Sequence, residues 1–399
     1  MNDPHNRISR RSFLGRSVAS IVGAGVGLGS TVSGSEPEEK QTIKESRVLG
    51  RTGYNVSDIS FGGATMQDPS LLEYAIDRGI NYVDTARQYY DMEKVIGQIF
   101  PSKRDKLFVT TKLEPELFTE DVTALQVTTA IDESLERLNT DHIDCCLIHS
   151  VGEDPEKPDR TRITSPEIYT AFERAREAGK IRFWGASSHG PKMIEELTWL
   201  IQNTDIDMIM PGMNYMTRGL EPVLAAAKKK NIAVVAMKSL SAARKIEHSA
   251  YKIEGRTARQ ALLKWMLAQP NIDTIAITMA SFEDVDEFVA ASGKPKLSMK
   301  EQEILEGYCS RLEQDYCRPG CSGCLGSCAN DVPIPDILRY RLYFSNYGRE
   351  KYAMQLYARL PRSRSAAVCG SCPGPCAEVC PFHIPVRARL LEAHSDLTV

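Results

Sequence analysis

From Val56 onward the chain alternates between two hydrophobic periods. Short apolar runs lie at Val56 to Phe61, Ile80 to Val83, Leu107 to Thr111, Ile143 to Ile148, Ile181 to Gly185, Asp207 to Met210, Ala233 to Met237 and Thr274 to Thr278. Between them come amphipathic segments: Ser70 to Arg78, Glu93 to Phe100, Val122 to Leu138, Pro166 to Ala178, Met193 to Gln202, Leu220 to Lys230, Thr257 to Ala268 and Phe282 to Ala291. The first kind predicts strands and the second helices. Several helical segments run into Gly79, Asn139, Gly179 or Asn231, residues that accept the left-handed backbone of a helix C-cap. Eight β/α units in about 240 residues predict an α/β fold of the (β/α)8 TIM-barrel type. The competing arrangement is a doubly wound open sheet. It calls for a G-x-G-x-x-G turn after the first strand, which Gly62-Gly63-Ala64 does not supply. Ahead of the barrel, Arg47 to Tyr54 reads as a small hairpin turning at Thr52-Gly53.

Barrel chemistry sits at the C-terminal ends of the strands. Those ends place Asp84 after strand two, Lys112 after strand three and His149 after strand four, with Tyr89 five residues beyond Asp84. Singly, each has an ordinary use: Asp84 as a helix cap, Lys112 in an ion pair, His149 in a hydrogen bond, Tyr89 packed on a loop. Together, at consecutive strand ends, they supply a proton donor and the groups that tune and orient it.

These residues and their neighbours resemble the aldo/keto reductases. The resemblance rests on Val48-Leu49-Gly50-Arg51-Thr52-Gly53, Asp84-Thr85-Ala86-x-x-Tyr89, Thr111-Lys112, Ile148-His149, Gly179-Lys180-Ile181-Arg182-x-x-Gly185-x-Ser187 and Asn214-Tyr215. It covers residues 45–293. It implies hydride transfer between a nicotinamide, NAD(P)(H), and a small-molecule carbonyl or alcohol. Tyr89 would donate or accept the proton, Lys112 would lower the tyrosine's pKa, Asp84 would hold the lysine, and His149 would bind the carbonyl oxygen. The resemblance further implies that Ser187 and Asn214 hold the nicotinamide amide, that Tyr215 stacks on the ring, and that Lys238 lies at the phosphates. Four positions depart from the family pattern: Ser188 replaces an asparagine, Met279-Ala280-Ser281 lacks the usual glycine and basic residue, Phe288 follows Glu287, and Tyr90 stands where glycine is usual.

Cysteine usage separates a second region, 294–399. Nine of eleven cysteines lie in the last quarter of the chain. Cys145 and Cys146 are the other two, and on a strand they would face opposite sides. Two quartets stand out: Cys317, Cys321, Cys324, Cys328 and Cys369, Cys372, Cys376, Cys380. Cys369, Cys376 and Cys380 repeat Cys317, Cys324 and Cys328 at a constant offset of 52, and Ile384-Pro385-Val386 repeats Val332-Pro333-Ile334 at the same offset. Helices are predicted at Lys300 to Leu312 and Asp336 to Met354. The quartets resemble a ferredoxin module with two [4Fe-4S] clusters, each quartet having one spacer lengthened and Cys328 lacking a following proline. That resemblance implies a mainly helical, ferredoxin-like iron–sulfur domain in which the fourth cysteine of each run serves the other cluster. Cys317, Cys321, Cys324 and Cys380 would then bind one cluster, and Cys369, Cys372, Cys376 and Cys328 the other. Zinc in four-cysteine sites and four disulfides are the alternatives. Clusters imply an electron-transfer protein partner. They also raise a mismatch, since a hydride carries two electrons and a cluster passes one.

The N-terminus changes the expected compartment. Ser9-Arg10-Arg11-Ser12-Phe13-Leu14 precedes the uncharged run Ser17 to Val32, so residues 1–35 read as a twin-arginine signal and 36–44 as a polar linker. The expectation is export through the twin-arginine (Tat) machinery to a periplasmic or extracytoplasmic site. A net charge of −3 gives no reason to expect a nucleic-acid partner, and Lys228 to Lys230 reads as a solvated helix end. Two functions remain: an exported carbonyl/alcohol oxidoreductase with two clusters, or a non-enzymatic electron-transfer protein in which the barrel is a scaffold.

Overall fold

The computed structural model describes residues 41–64, 66, 68–119, 121–152, 163–240, 257–293 and 296–398. The expected signal segment and residues 36–40 of the linker lie outside these residues. The strands are β1 (Ser46–Val48), β2 (Asn55–Ser57), β3 (Ile59–Gly62), β4 (Tyr82–Asp84), β5 (Phe108–Leu113), β6 (Ile143–Ile148), β7 (Ile181–Ser188), β8 (Met208–Pro211), β9 (Ala233–Met237) and β10 (Thr274–Thr278). Strands β3 to β10 pair in parallel and close, with Ile275 of β10 opposite Ile59 of β3. Closure removes the open-sheet alternative.

The first apolar run differs from its prediction. Val56 to Phe61 is two strands, broken at Asp58. Its carboxylate accepts from Ser292 Oγ (2.6 Å) and Gly293 N (2.9 Å), which turns the chain from hairpin into barrel. The hairpin β1–β2 lies at the N-terminal end of the barrel, where Leu49 and Val56 pack with Tyr82, Phe108 and Met208. Gly50 is required there: it adopts φ +47°, and a Cβ would lie 2.3 Å from Ala233 N. The alternation along β6 works as expected, with Cys145 in the interior cluster and Cys146 in the layer under the helices.

The predicted helix ends hold, since Gly79, Asn139, Gly179 and Asn231 all have positive φ. The longest barrel helix, Ala124–Leu138, also has a capping box, Thr123 with Gln126, which satisfies N–H groups at its start. Lys228 and Lys230 are not merely solvated. Lys228 pairs with Asp273 (3.3 Å), and Lys230 donates to Ile201 O (2.6 Å).

Beyond the barrel, helix Met299–Leu312 packs on helix Ala258–Leu267 through Ile304, Leu305 and Tyr308. The C-terminal segment that follows is helical, as expected, with Ile334–Tyr347, Glu350–Ala358 and Val386–Leu397 around a small core of its own. The single helix expected from Asp336 to Met354 is two, because Gly348 takes a left-handed C-cap (φ 62°) and turns the chain.

Candidate functional site

The ends of β4, β5 and β6 bring the four expected catalytic residues together. Lys112 is fully buried, and its ammonium donates to both oxygens of Asp84 (2.6 and 2.7 Å) and to Thr85 O (2.7 Å). That ammonium lies 5.2 Å from the centre of the Tyr89 ring. The Tyr89 and His149 rings meet edge to face at 5.8 Å. His149 is 4% exposed. Thr111, just before Lys112, donates to buried Glu93 (2.6 Å), which in turn pairs with Arg137 (2.6 Å), so the strand end is braced from the helix layer.

One expectation is corrected. Lys112 was to lower the Tyr89 pKa, yet the tyrosine is pushed well above its ordinary value. Burial is the main cause and the Asp84 charge adds to it. The lysine's three donors are already committed to Asp84 and Thr85, so the ion pair presents little net positive charge to the phenol. Burial also pushes Asp84 up and Lys112 down, each against the pull of the other.

Three non-glycine residues at this mouth have left-handed backbone: Tyr90 (φ 54°), Ser150 (φ 60°) and Lys238 (φ 61°). They follow Tyr89, His149 and strand β9. Tyr90 shows the physical basis for the usual glycine, and its side chain is 74% exposed.

The four expected cofactor residues also lie at strand ends, though their partners were not legible in the sequence. Ser187 is buried and its hydroxyl accepts from Ser150 N (3.2 Å). Asn214 is 3% exposed; its amide N–H donates to Tyr316 Oη (2.8 Å) and its oxygen accepts from Met216 N (2.9 Å). The Tyr215 ring packs edge to face on Trp265 at 5.1 Å. Lys238 donates to Tyr343 Oη (3.2 Å) and lies 5.2 Å from the centre of that ring. A carboxamide amide, a hydroxyl, an aromatic face and an ammonium form a donor set suited to a nicotinamide dinucleotide. In this structure two of the four are held by tyrosines of the C-terminal segment.

That segment supplies residues which sequence reasoning missed. Tyr343, Arg349 and Tyr352 lie close enough to Tyr89 for their charges to act on it. Tyr343 and Tyr352 rings are 5.9 Å apart, and the Arg349 guanidinium sits 4.5 Å over Tyr352. Tyr352 shares a cleft with Arg87, Gln88 and Tyr90 of the Tyr89 loop. Nothing in one sequence ties these residues to the barrel.

The eight cysteines assemble in two groups that cross the sequence quartets. Burial pushes the Cys317 thiol far up, reinforced by Cys324, Cys321 and Cys380. Cys324 rises to about 12 for the same reason, with Cys321, Cys376 and Cys380 adding to burial. A Cβ on Gly323 would lie 3.4 Å from Pro381 and 3.9 Å from Cys321 Sγ, so the turn after Cys380 sits in the first loop. In the second group burial pushes Cys369 up to about 11, with Cys376, Cys328 and Cys372 beside it. Cys328, Cys369, Cys372 and Cys376 line one cavity. Among the described residues no group of three or more His, Cys, Asp or Glu is arranged to hold a single metal ion.

Comparison with known proteins bears on the barrel. A profile described as "Aldo/keto reductase family" matches residues 64–243. An aldo-keto reductase of Mycobacterium sp. (strain KMS) is 30% identical over 210 residues, 50% of this chain and 69% of that protein. L-galactose dehydrogenase of Arabidopsis thaliana is 26% identical over 298 residues, 65% of this chain and 92% of that protein. The structure of an aldo-keto reductase from Klebsiella pneumoniae in complex with NADPH superposes with a TM-score of 0.54 at 25% identity, covering 67% of this chain and 95% of that one.

Proposed function

Because the chain belongs to the aldo/keto reductase family, we propose that its barrel interconverts a carbonyl and an alcohol with Tyr89 as the proton donor or acceptor. The observation that carries this reading is the convergence of Asp84, Lys112, His149 and Tyr89 at three consecutive strand ends. A phenol is protonated at neutral pH, as a donor to a developing alkoxide must be. His149, edge-on to that phenol, would bind the same oxygen, with the Asp84–Lys112 pair beside both. A reduced nicotinamide, NAD(P)H, of the kind bound by the Klebsiella relative, supplies the hydride when present. Ser187, Asn214, Tyr215 and Lys238 would hold it. The name L-galactose dehydrogenase on one relative favours a sugar-like carbonyl or alcohol as substrate. Tyr89→Phe is expected to lower NADPH-dependent carbonyl reduction by about 10²–10⁴-fold; undiminished turnover would overturn the assignment.

The C-terminal segment reads as a carrier of two [4Fe-4S] clusters, one on Cys317, Cys321, Cys324 and Cys380, the other on Cys328, Cys369, Cys372 and Cys376. The crossed grouping of buried thiols supports this, and one-electron transfer is the chemistry such clusters supply. Clusters call for an electron-transfer protein partner. The Arg10-Arg11 signal pattern supports export through the Tat route after folding, and cell fractionation tests it.

A second reading is a partner-dependent electron-transfer protein whose barrel is a scaffold. It is favoured by one observation, the engagement of Asn214 and Lys238 by Tyr316 and Tyr343. Tight NADPH binding with turnover of an aldose would refute it.

A further inference from the structure

Tyr316 is the residue before Cys317, and its place is fixed from several sides. The Arg318 guanidinium is 6% exposed, donates to Tyr316 O and to Glu313 O (2.8 Å), and stacks 4.3 Å over Phe382. Phe382 follows Cys380-Pro381, so the two chain pieces that bring Cys317 and Cys380 together also clamp the tyrosine backbone. The Tyr316 ring packs against Met216, the residue whose N–H fixes the Asn214 amide oxygen. Its hydroxyl accepts from the Asn214 amide (2.8 Å). Twenty-seven residues further on, Tyr343 emerges from helix Ile334–Tyr347 and accepts from Lys238 (3.2 Å). Tyr316 and Tyr343 then line one pocket with Lys238, His189, Cys317 and Arg318.

We propose that this pair of tyrosines is a strap across the nucleotide site, so that the cysteine-bearing segment and a nicotinamide dinucleotide occupy the barrel mouth as alternatives. The strap rests on the nicotinamide reading above and adds its regulation. Asn214 gives one amide N–H to Tyr316 and its oxygen accepts from Met216 N, and Lys238 gives one ammonium N–H to Tyr343. A nucleotide that takes those same donors must first displace both tyrosines. Its apparent affinity is therefore reduced by the fraction of molecules in which the strap is closed. Because Tyr316 is joined to Cys317 and clamped by Arg318, lifting it also moves the loop that carries the first cysteine group. Nucleotide binding and the state of that group are then reciprocally linked.

The test uses the full chain purified anaerobically, with NADPH as the probe, titrated by its fluorescence. Tyr316→Phe and Tyr343→Phe each keep the ring and remove the hydroxyl. Each lost strap contact is worth about five- to tenfold in the closed-state population, so the double variant is expected to bind NADPH at least about tenfold more tightly than wild type. Hydrogen exchange gives the second readout: NADPH should speed exchange across residues 313–320 of the wild type. Unchanged or weaker binding by the double variant, with no change in exchange, overturns the strap and leaves the nicotinamide reading standing. Absence of NADPH binding in wild type and variants alike overturns the nicotinamide reading, and the strap with it.

Discussion

Removing the Lys112 ammonium isolates what holds the catalytic floor together. Nζ and the nearer Asp84 oxygen are 2.6 Å apart in a site with no solvent exposure at the lysine. At an effective dielectric of 20 the pair attracts by 332/(20 × 2.6), about 6 kcal/mol. Burying each ion costs several kcal/mol, so the intact pair nets little while either half alone is expensive. Lys112→Met keeps an unbranched stem and leaves Asp84 buried without its cation. The expected loss is about 3–5 kcal/mol, or about 6–20 °C in the apparent midpoint of thermal unfolding at pH 7 followed by circular dichroism. Asp84→Leu added to Lys112→Met removes both charges and is expected to restore most of that loss. The pH dependence has a definite sign. Burial already raises the Asp84 pKa, and losing Lys112 removes the main opposing pull. With its folded pKa above the ordinary 3.8, the protonated carboxyl is the form that the fold favours. The variant's deficit is therefore largest above that raised pKa and shrinks as the pH falls through it. A single variant as stable as wild type at pH 7, a double variant no better than the single, or a deficit that grows on acidification would each refute the argument.

Three further outcomes are expected. Tyr54 and Tyr169 are each pushed up to about 12 by burial. Their unfolded forms ionise near the ordinary 10.0, so stability present below pH 10 should drain away between pH 10 and about pH 12, with absorbance at about 295 nm showing these two among the late-titrating tyrosines. Cys317→Ser combined with Cys380→Ser should remove one cluster, halving iron from about eight to about four atoms per chain if the ligand sets cross; loss of nearly all iron would mean they do not. Asp144 is 2% exposed, accepts from Val109 N (2.8 Å), and pairs with Arg104 (2.7 Å) and Arg182 (2.8 Å) at the start of β6. Asp144→Ala should cost more than about 2 kcal/mol of stability with KM unchanged, since it lies at the end of the barrel away from the chemistry.

The barrel was legible because its signals are local and repeated. Period-two runs, period-3.6 segments and Gly or Asn caps recur along the chain, and each of the four expected caps does take positive φ. Asp84, Lys112 and His149 were legible because strand ends map to one face of the closed sheet. Three things were not. The break at Asp58 depends on Ser292 and Gly293, more than two hundred residues away. The rise of the Tyr89 pKa comes from burial and the Asp84 charge, which spacing cannot show. Tyr316 and Tyr343 reach the barrel only through the packing of one region on the other, and a single sequence carries no trace of that pairing. The cysteine repeat, by contrast, was legible as a repeat. The offset of 52 shows only an internal repeat; the crossed assignment came from the likeness of that repeat to a two-cluster ferredoxin module.

The two ends of the barrel divide the work. At the N-terminal end, buried aspartates tie neighbouring strands: Asp144 to Val109 N (2.8 Å), Asp207 to Trp184 N (3.2 Å) and Asp273 to Val234 N (2.9 Å). Their arginine and lysine partners sit at the rim, so these charges are neutralised without reaching the interior. At the other end Tyr90, Ser150 and Lys238 hold left-handed backbone that costs about 1–3 kcal/mol each in non-glycine residues. Strain at that end can persist only if the rest of the barrel over-determines it, which the strand ties at the N-terminal end help to do. The strained face is also the one the C-terminal segment covers, with Tyr343 on Lys238 itself. A cover made of the chain's own helices leaves His149 buried and Tyr89 half-buried. Unlike a loop, it carries the cysteine groups, and Tyr316, next to Cys317, meets the barrel at Asn214.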